Sequence, residues 1–354
     1  MQATRTAFVT GGSGFIGGAL VRRLLADGWA VRALARSTGS EATLRDLGAE
    51  PVGGDLEDVE SIRAGAQGSV IAFHAAAAVL EWGPREEFVR GNVTGTENTL
   101  RGAREAGVRR FVHVGTEAAL MVGQPLVNIN ETAPLRPDSK AHYSATKAIA
   151  EQRVRAANED GFETVVIRPR LVWGPGDTTI LPGLVAAVEG GRFSWIGGGR
   201  HLTDTSHVDN VVEGLLLGAE RGRPGEAYFV HDGEPVEFRR FVTDLLATRG
   251  VTPPDRDTPP IVARLAAPAL EATWKLLRRD SAPPVTRLAL WLASQECTMR
   301  SRRRAKSSAT SRSRPAIRAW PSCAKPERGG CAGRSLRRRP AHAAPDDERA
   351  HGAG

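Results

Sequence analysis

The sequence predicts an α/β fold, a doubly wound parallel sheet followed by a smaller C-terminal region. Three observations predict it. Over positions 1–235 short β-branched runs alternate with longer amphipathic ones, the order that builds right-handed β-α-β units with helices on both sheet faces. Between the first strand-like run and the first helix-like run stands GGSGFIGG, residues 11–18. After about residue 175 the alternation loosens, and proline pairs at 253–254, 259–260 and 283–284 mark loops.

The elements follow in order. Candidate strands are TAFVT (6–10), AVRALA (30–35), VIAFHA (70–75), RFVHVG (110–115) and TVVIRP (164–169). Helix-like segments lie at 15–27, 57–65, 85–106 and 141–159. A third strand is expected just before GGDLED, which holds Asp55. Further on come helices at 180–190, 208–220 and 237–249, a strand at 227–230, a helical stretch at 262–279 and an apolar run, RLALWLAS, at 287–294. A chain of 354 residues can bury a sizeable core around such a sheet. The domains expected are a dinucleotide-binding domain over 1–175 that also uses parts of 205–235, a substrate-binding region over 176–294, and a basic tail over 295–354.

Charge separates the tail from the body. Residues 295–354 carry 15 Lys+Arg and 5 Asp+Glu, a net +10; subtraction from the totals of 48 and 40 leaves 33 and 35, a net −2, for residues 1–294. The basic character therefore belongs to the tail, and nucleic acid is not expected as a partner of the folded body. The tail has no hydrophobic period and is expected to be disordered. With GC-rich codons residues 302–326 can be written so that a shifted frame reads as helix, turn and helix, so a frameshift near residue 300 is one expectation and a native basic tail the other. The three cysteines, Cys297, Cys323 and Cys331, have no CxxC spacing and argue for neither a disulfide framework nor a metal site. No apolar run is long enough to span a bilayer, and the N-terminus lacks a signal-peptide pattern; the expected location is the cytoplasm.

Gly11, Gly14 and Gly17 follow the first strand and open the first helix. Glycine there lets the chain turn, lets the backbone approach a pyrophosphate, and lets helix pack on strand, while the helix N-terminus offers unpaired N–H groups. This is the dinucleotide loop of a Rossmann-type sheet. The second strand ends in Ala35-Arg36. A carboxylate there would hold the ribose hydroxyls of NAD, whereas Arg36 suits the 2′-phosphate of NADP. Asp55 could accept from the adenine amino group or cap the helix that follows.

In YSATK, Tyr143 and Lys147 stand four apart on a helix and so share a face. Hydride transfer to or from a carbinol needs an acid or base at the oxygen; a phenol is a poor base near neutrality, and a lysine cation beside it favours the phenolate. His74 and His113 read as packed core histidines.

TGGSGFIG, GDL (54–56), HAAA (74–77), YSATK, RPRLVWGPGD (168–177) and HVDNV (207–211) together resemble the extended short-chain dehydrogenases/reductases over roughly residues 1–250. The stretch from Gly174 to Val211 is most similar to the 3β-hydroxysteroid and sterol dehydrogenase branch. The resemblance implies Tyr143 as acid/base, Lys147 as its electrostatic partner and ribose ligand, and Thr116 as the substrate-oxygen ligand. It implies cofactor contacts at Gly11, Gly14, Phe15, Ile16, Gly17, Arg36, Asp55, Leu56, Ala75, Ala76, Ala77, Asn92, Lys147 and Pro169. Arg36 leans to NADP and the sterol branch to NAD. Asn92 could also be structural, tying helix to strand.

The substrate side is expected to be apolar, drawing on Leu181, Val185, Phe193, Trp195 and Ile196, although core packing explains most of them as well. The activity expected is an NAD(P)-dependent oxidoreductase acting on a secondary alcohol or ketone, a steroid or sterol 3β-hydroxyl included. One alternative is a nucleotide-sugar epimerase or dehydratase, with Arg170, Arg192 and Arg200 as pyrophosphate clamps. Another is a non-catalytic NAD(P)-sensing protein. Expected partners are a small apolar substrate and, as an option, a second copy in a homodimer.

Overall fold

A computed structural model describes residues 5–300. Its centre is a seven-stranded sheet of β1 (Thr6–Thr10), β2 (Ala30–Ala35), β3 (Glu50–Gly53), β4 (Ile71–His74), β5 (Arg110–Val114), β6 (Glu163–Pro169) and β7 (Glu226–Val230). The strands lie in the order β7-β6-β5-β4-β1-β2-β3, and every neighbouring pair is parallel. The order reverses between β1 and β4, and a crevice opens there beyond the carboxyl ends of the strands.

Helices cover both faces. On one, α1 (Phe15–Ala26), α2 (Thr38–Leu47) and α8 (Val208–Arg221) bury Leu20, Leu24, Leu44, Val211 and Leu215 against β1, β2 and β6. On the other, α3 (Val59–Ala66), α5 (Gly95–Glu105) and α6 (His142–Ala156) bury Ile62, Leu100, Ala103 and Val154 against Phe8, Phe111 and Val166. The helix α2 is absent from the periodicity because it is polar and contains Gly39. A reciprocal cap between Ser37 and Ser40 starts it, and Gly48 at φ +90° ends it.

The single helix expected at 85–106 is three segments. A short α4 (Arg85–Phe88) runs into a π-helical stretch, Val89–Thr94, and then into α5. The widened turn follows from close approach. A Cβ at Gly91 would lie 2.7 Å from Ala78 Cβ, and Asn92 reaches across to the same loop.

Past β6 lie α7 (Ile180–Glu189), α9 (Phe238–Ala247), α10 (Pro260–Leu276) and α11 (Arg287–Ser294). A second sheet joins four short strands in the order Val236–Glu237, Leu202–Thr203, Cys297–Met299, Leu126–Ile129. Its third member corrects the expected start of the tail at 295. Cys297, Thr298 and Met299 are buried, Met299 N–H donates to Asp204, and the folded body extends to residue 300. The expectations for disorder or a frameshift beyond that point lie outside the described residues. Among the described residues no helix is long and apolar enough to cross a membrane.

One ion pair fastens α6 to the sheet. Arg168 on β6 and Glu151 on α6 are both 0% exposed, and Arg168 Nε donates to both carboxylate oxygens at 2.9 and 3.1 Å. Removing one partner of such a pair strands a buried charge. Glu151→Ala is expected to cost about 3–5 kcal/mol in denaturant unfolding, and a loss below ~1 kcal/mol would contradict that role. Ending the chain at Gln295 rather than Arg300 removes the buried Cys297–Met299 strand, and calorimetry should show a lower Tm for the shorter chain.

Candidate functional site

The crevice begins with the glycine loop. Gly11 has φ +72°, and a Cβ there would lie 2.6 Å from Ala76 N. A Cβ at Gly17 would lie 2.0 Å from Gly11 O, so helix and strand meet only because both residues are glycine. Gly14 is the N-cap of α1 and brings no capping side chain, so the first-turn N–H groups remain available to an anion. Phe15 and Ile16 form that first turn, and Ala75, Ala76 and Ala77 run past the glycines from the end of β4. The residues present fit a dinucleotide pyrophosphate.

Arg36 is exposed between β2 and α2, and among the described residues nothing pairs with it. Asp55 is half-buried and accepts from Glu57 N–H at 3.0 Å. It does not cap α3; Asp58 does, accepting from Glu60 and Ser61 N–H. Leu56 packs over Gly95, where a Cβ would lie 3.0 Å from its side chain. Asn92 is hydrogen-bonded within the protein. Its Oδ1 accepts from Ala78 N–H at 2.7 Å, and its Nδ2 donates to Ala78 O and Thr146 Oγ1. It thereby joins the loop after β4 to α6. Pro169 closes β6, buried, in register with Val230.

Tyr143 lies in the first turn of α6, half-buried, beside a small cavity lined by Leu80, Trp82, Phe88, His142 and Leu288. Thr116 and Glu117 are the neighbouring side chains that act on its phenol. Burial pushes the phenol pKa well up and the Glu117 charge adds to this, while the Thr116 hydroxyl opposes it. One turn on, Lys147 is 2% exposed. Its ammonium donates to Val114 O at 2.8 Å and lies 3.3 Å from His113 Nε2. The expected lowering of the phenol pKa by Lys147 is not present. The ammonium is turned towards the end of β5, and Lys147 is not among the groups that set the phenol. Burial lowers the lysine itself to about 8, with Glu151 opposing the shift.

Three participants escape a reading by motif. Glu117 is buried beside Thr116, accepting its hydroxyl proton at 2.9 Å, and its other oxygen takes Arg170 Nη1 at 2.7 Å. A carboxylate placed directly after the strand-end threonine in an otherwise apolar stretch was the available signal. Arg170 is 0% exposed and also donates to Thr203, so it cannot clamp a pyrophosphate. His113 is the third, since its contact with Lys147 crosses 34 positions of sequence. On the substrate side, Leu181, Phe193 and Trp195 are buried in a cluster with Phe238 and Phe241, and Val185 packs against it; these are core. Ile196 instead packs against the cluster that Tyr143 also borders. His207 caps α8, with Asp209 in its first turn.

Comparison with known proteins gives the family. Residues 8–259 match the model of the 3-beta hydroxysteroid dehydrogenase/isomerase family. The chain is 48% identical over 292 residues to a 4-hydroxy-2-methyl-3-oxo-4-farnesyl-3,4-dihydroquinoline-1-oxide ketoreductase of Stigmatella aurantiaca, covering 82% of this chain and 87% of that one. It is 37% identical to a 2-alkyl-3-oxoalkanoate reductase of Stenotrophomonas maltophilia, covering 82% and 88%. Among solved structures it is similar to the dTDP-glucose 4,6-dehydratase DesIV of Streptomyces venezuelae with NAD bound, with a TM-score of 0.61, 27% identity and coverage of 72% and 84%. The chain therefore belongs to the 3-beta hydroxysteroid dehydrogenase/isomerase family, a branch of the extended short-chain dehydrogenase/reductase enzymes.

Proposed function

We propose that the chain moves a hydride between a nicotinamide dinucleotide and an apolar ketone or secondary alcohol, with ketone reduction as the working direction. The observation that carries this reading is the meeting of Tyr143, Thr116 and Lys147 at the carboxyl end of β5, next to the glycine cradle. A dinucleotide, when bound, supplies or accepts the hydride. Tyr143 holds a proton at its hydroxyl; because burial raises its pKa, the phenol is in the acid form near neutrality and ready to protonate a carbonyl oxygen. Thr116 binds the same oxygen, which competes with Glu117 for the threonine proton. Lys147, its ammonium held at the end of β5 and away from the phenol, offers its remaining N–H to a ribose hydroxyl of the dinucleotide. The two reductase relatives support the reducing direction. A steroid 3-keto or 3β-hydroxyl group falls within the same substrate class, and the family match supports it.

Arg36 supports NADP over NAD, since a free guanidinium at the end of β2 suits a 2′-phosphate. The nucleotide-sugar reading is weaker because Arg170 is held by Glu117 and Thr203. A purely sensing role leaves the tyrosine, threonine and lysine without a use.

Tyr143→Phe should lower kcat by roughly two to four orders of magnitude while NADPH fluorescence titration still shows binding; retained turnover removes Tyr143 from the chemistry. Arg36→Ala should raise the Kd for NADPH about tenfold or more and leave NADH nearly unchanged. Equal changes for both cofactors would take Arg36 out of the choice between them.

A further inference from the structure

Lys147 is a buried cation without a carboxylate in hydrogen-bond contact among the described residues. Glu151, one turn further along α6, is engaged by Arg168. The ammonium meets a carbonyl, Val114 O, and an imidazole nitrogen, His113 Nε2. An ammonium has only donors, so Nε2 must be the unprotonated nitrogen, and the ring proton sits on Nδ1. His113 Nδ1 is buried and has no hydrogen-bond partner among the described residues. A histidine serving only as packing has no reason to leave an N–H orphaned in the core, where any aliphatic side chain would avoid the loss.

The neighbouring ring fits the same pattern. His74 stacks on His113 with centroids 5.2 Å apart. Thr96 donates to Asn92 O, so Thr96 Oγ1 accepts from His74 Nε2–H, and Thr10 donates to His74 Nδ1. Both imidazoles are therefore neutral. Burial first and the Lys147 charge second hold His74 down to about 3 and His113 well below the usual histidine range.

We infer that His113 is a positioning residue for Lys147, its neutral Nε2 accepting a hydrogen bond that keeps the buried lysine protonated and aimed along the end of β5. With Val114 O and His113 holding two N–H groups, the third is left for a bound ligand. The inference rests on the proposed role of Lys147. The other titratable and charged groups near the ammonium are Tyr143 and Glu151 on α6, His74 on β4, Arg168 on β6 bound to Glu151, and Glu117 beyond Tyr143. None of these offers an acceptor in place of His113.

An acceptor stabilises the ammonium and raises its pKa; its removal lowers that pKa. The sequence holds five lysines, Lys140, Lys147, Lys275, Lys306 and Lys325. In full-length protein labelled at lysine Cε, NMR titration therefore gives few signals, and the one lost in Lys147→Met is Lys147. The expected result is a wild-type midpoint near 8, moved down by about one pH unit in His113→Leu and restored in His113→Gln, whose amide oxygen can reach the place of Nε2. An unchanged midpoint in a folded His113→Leu protein, or no recovery with Gln, overturns the inference. In parallel, turnover of NADPH with a 2-alkyl-3-oxoalkanoate probe is measured. If Lys147→Met keeps the wild-type rate, the role of Lys147 in the proposed function fails, and the NMR result for His113 stands by itself.

Discussion

The ion pair between Arg168 and Glu151 is the constraint on which the candidate site depends. Tyr143, Lys147 and Glu151 stand one helical turn apart and form a single stripe along α6. The sheet grips the far end of that stripe through a bidentate contact that water does not reach. The position of the phenol at the mouth of the crevice and of the ammonium at the end of β5 follow from that anchor. Arg168 also donates to Glu131 O, so the loop before α6 is held by the same guanidinium. A helix fixed in this way keeps reactive groups in place without a bound ligand, which is what transfer at one oxygen atom requires.

Charge at the site is arranged in two separate tiers. Nearer the cavity, Thr116, Glu117 and Arg170 form a chain whose negative member adds to the burial that keeps the phenol protonated. Deeper in, Lys147 is solvated by a carbonyl and a neutral imidazole and not neutralised by a carboxylate. A cation held by dipoles keeps its field available, whereas one bonded to a carboxylate would lose most of it. Asn92 ties the helix that carries Tyr143 and Lys147 to the sheet side. It binds the loop after β4 with one end and Thr146, between the two reactive residues, with the other.

Much of this architecture was legible in the residue order. The alternation of β-branched and amphipathic runs identified the sheet, and GGSGFIGG identified its cradle, because both depend on contacts between near neighbours. Other features were hidden for physical reasons. The helix α2 depends on caps at its two ends more than on a hydrophobic stripe. The π-helical turn arises from Gly91 meeting Ala78, which no local pattern records. Residues 297–299 looked like the start of a basic tail, because a three-residue strand has too few positions to show a period; its partners at Leu126 and Thr203 decide it.

The sequence by itself determined the fold class, the dinucleotide cradle and the pairing of Tyr143 with Lys147 on one helical face, since glycine stereochemistry and helical spacing act over a few residues. Only the tertiary structure decided what those groups feel. The phenol is raised because it is buried near Glu117, Arg170 is a partner of that carboxylate and not a phosphate clamp, and a histidine that resembles plain core meets the lysine. Burial and charge depend on what the folded chain brings close, and those partners lie tens of residues apart.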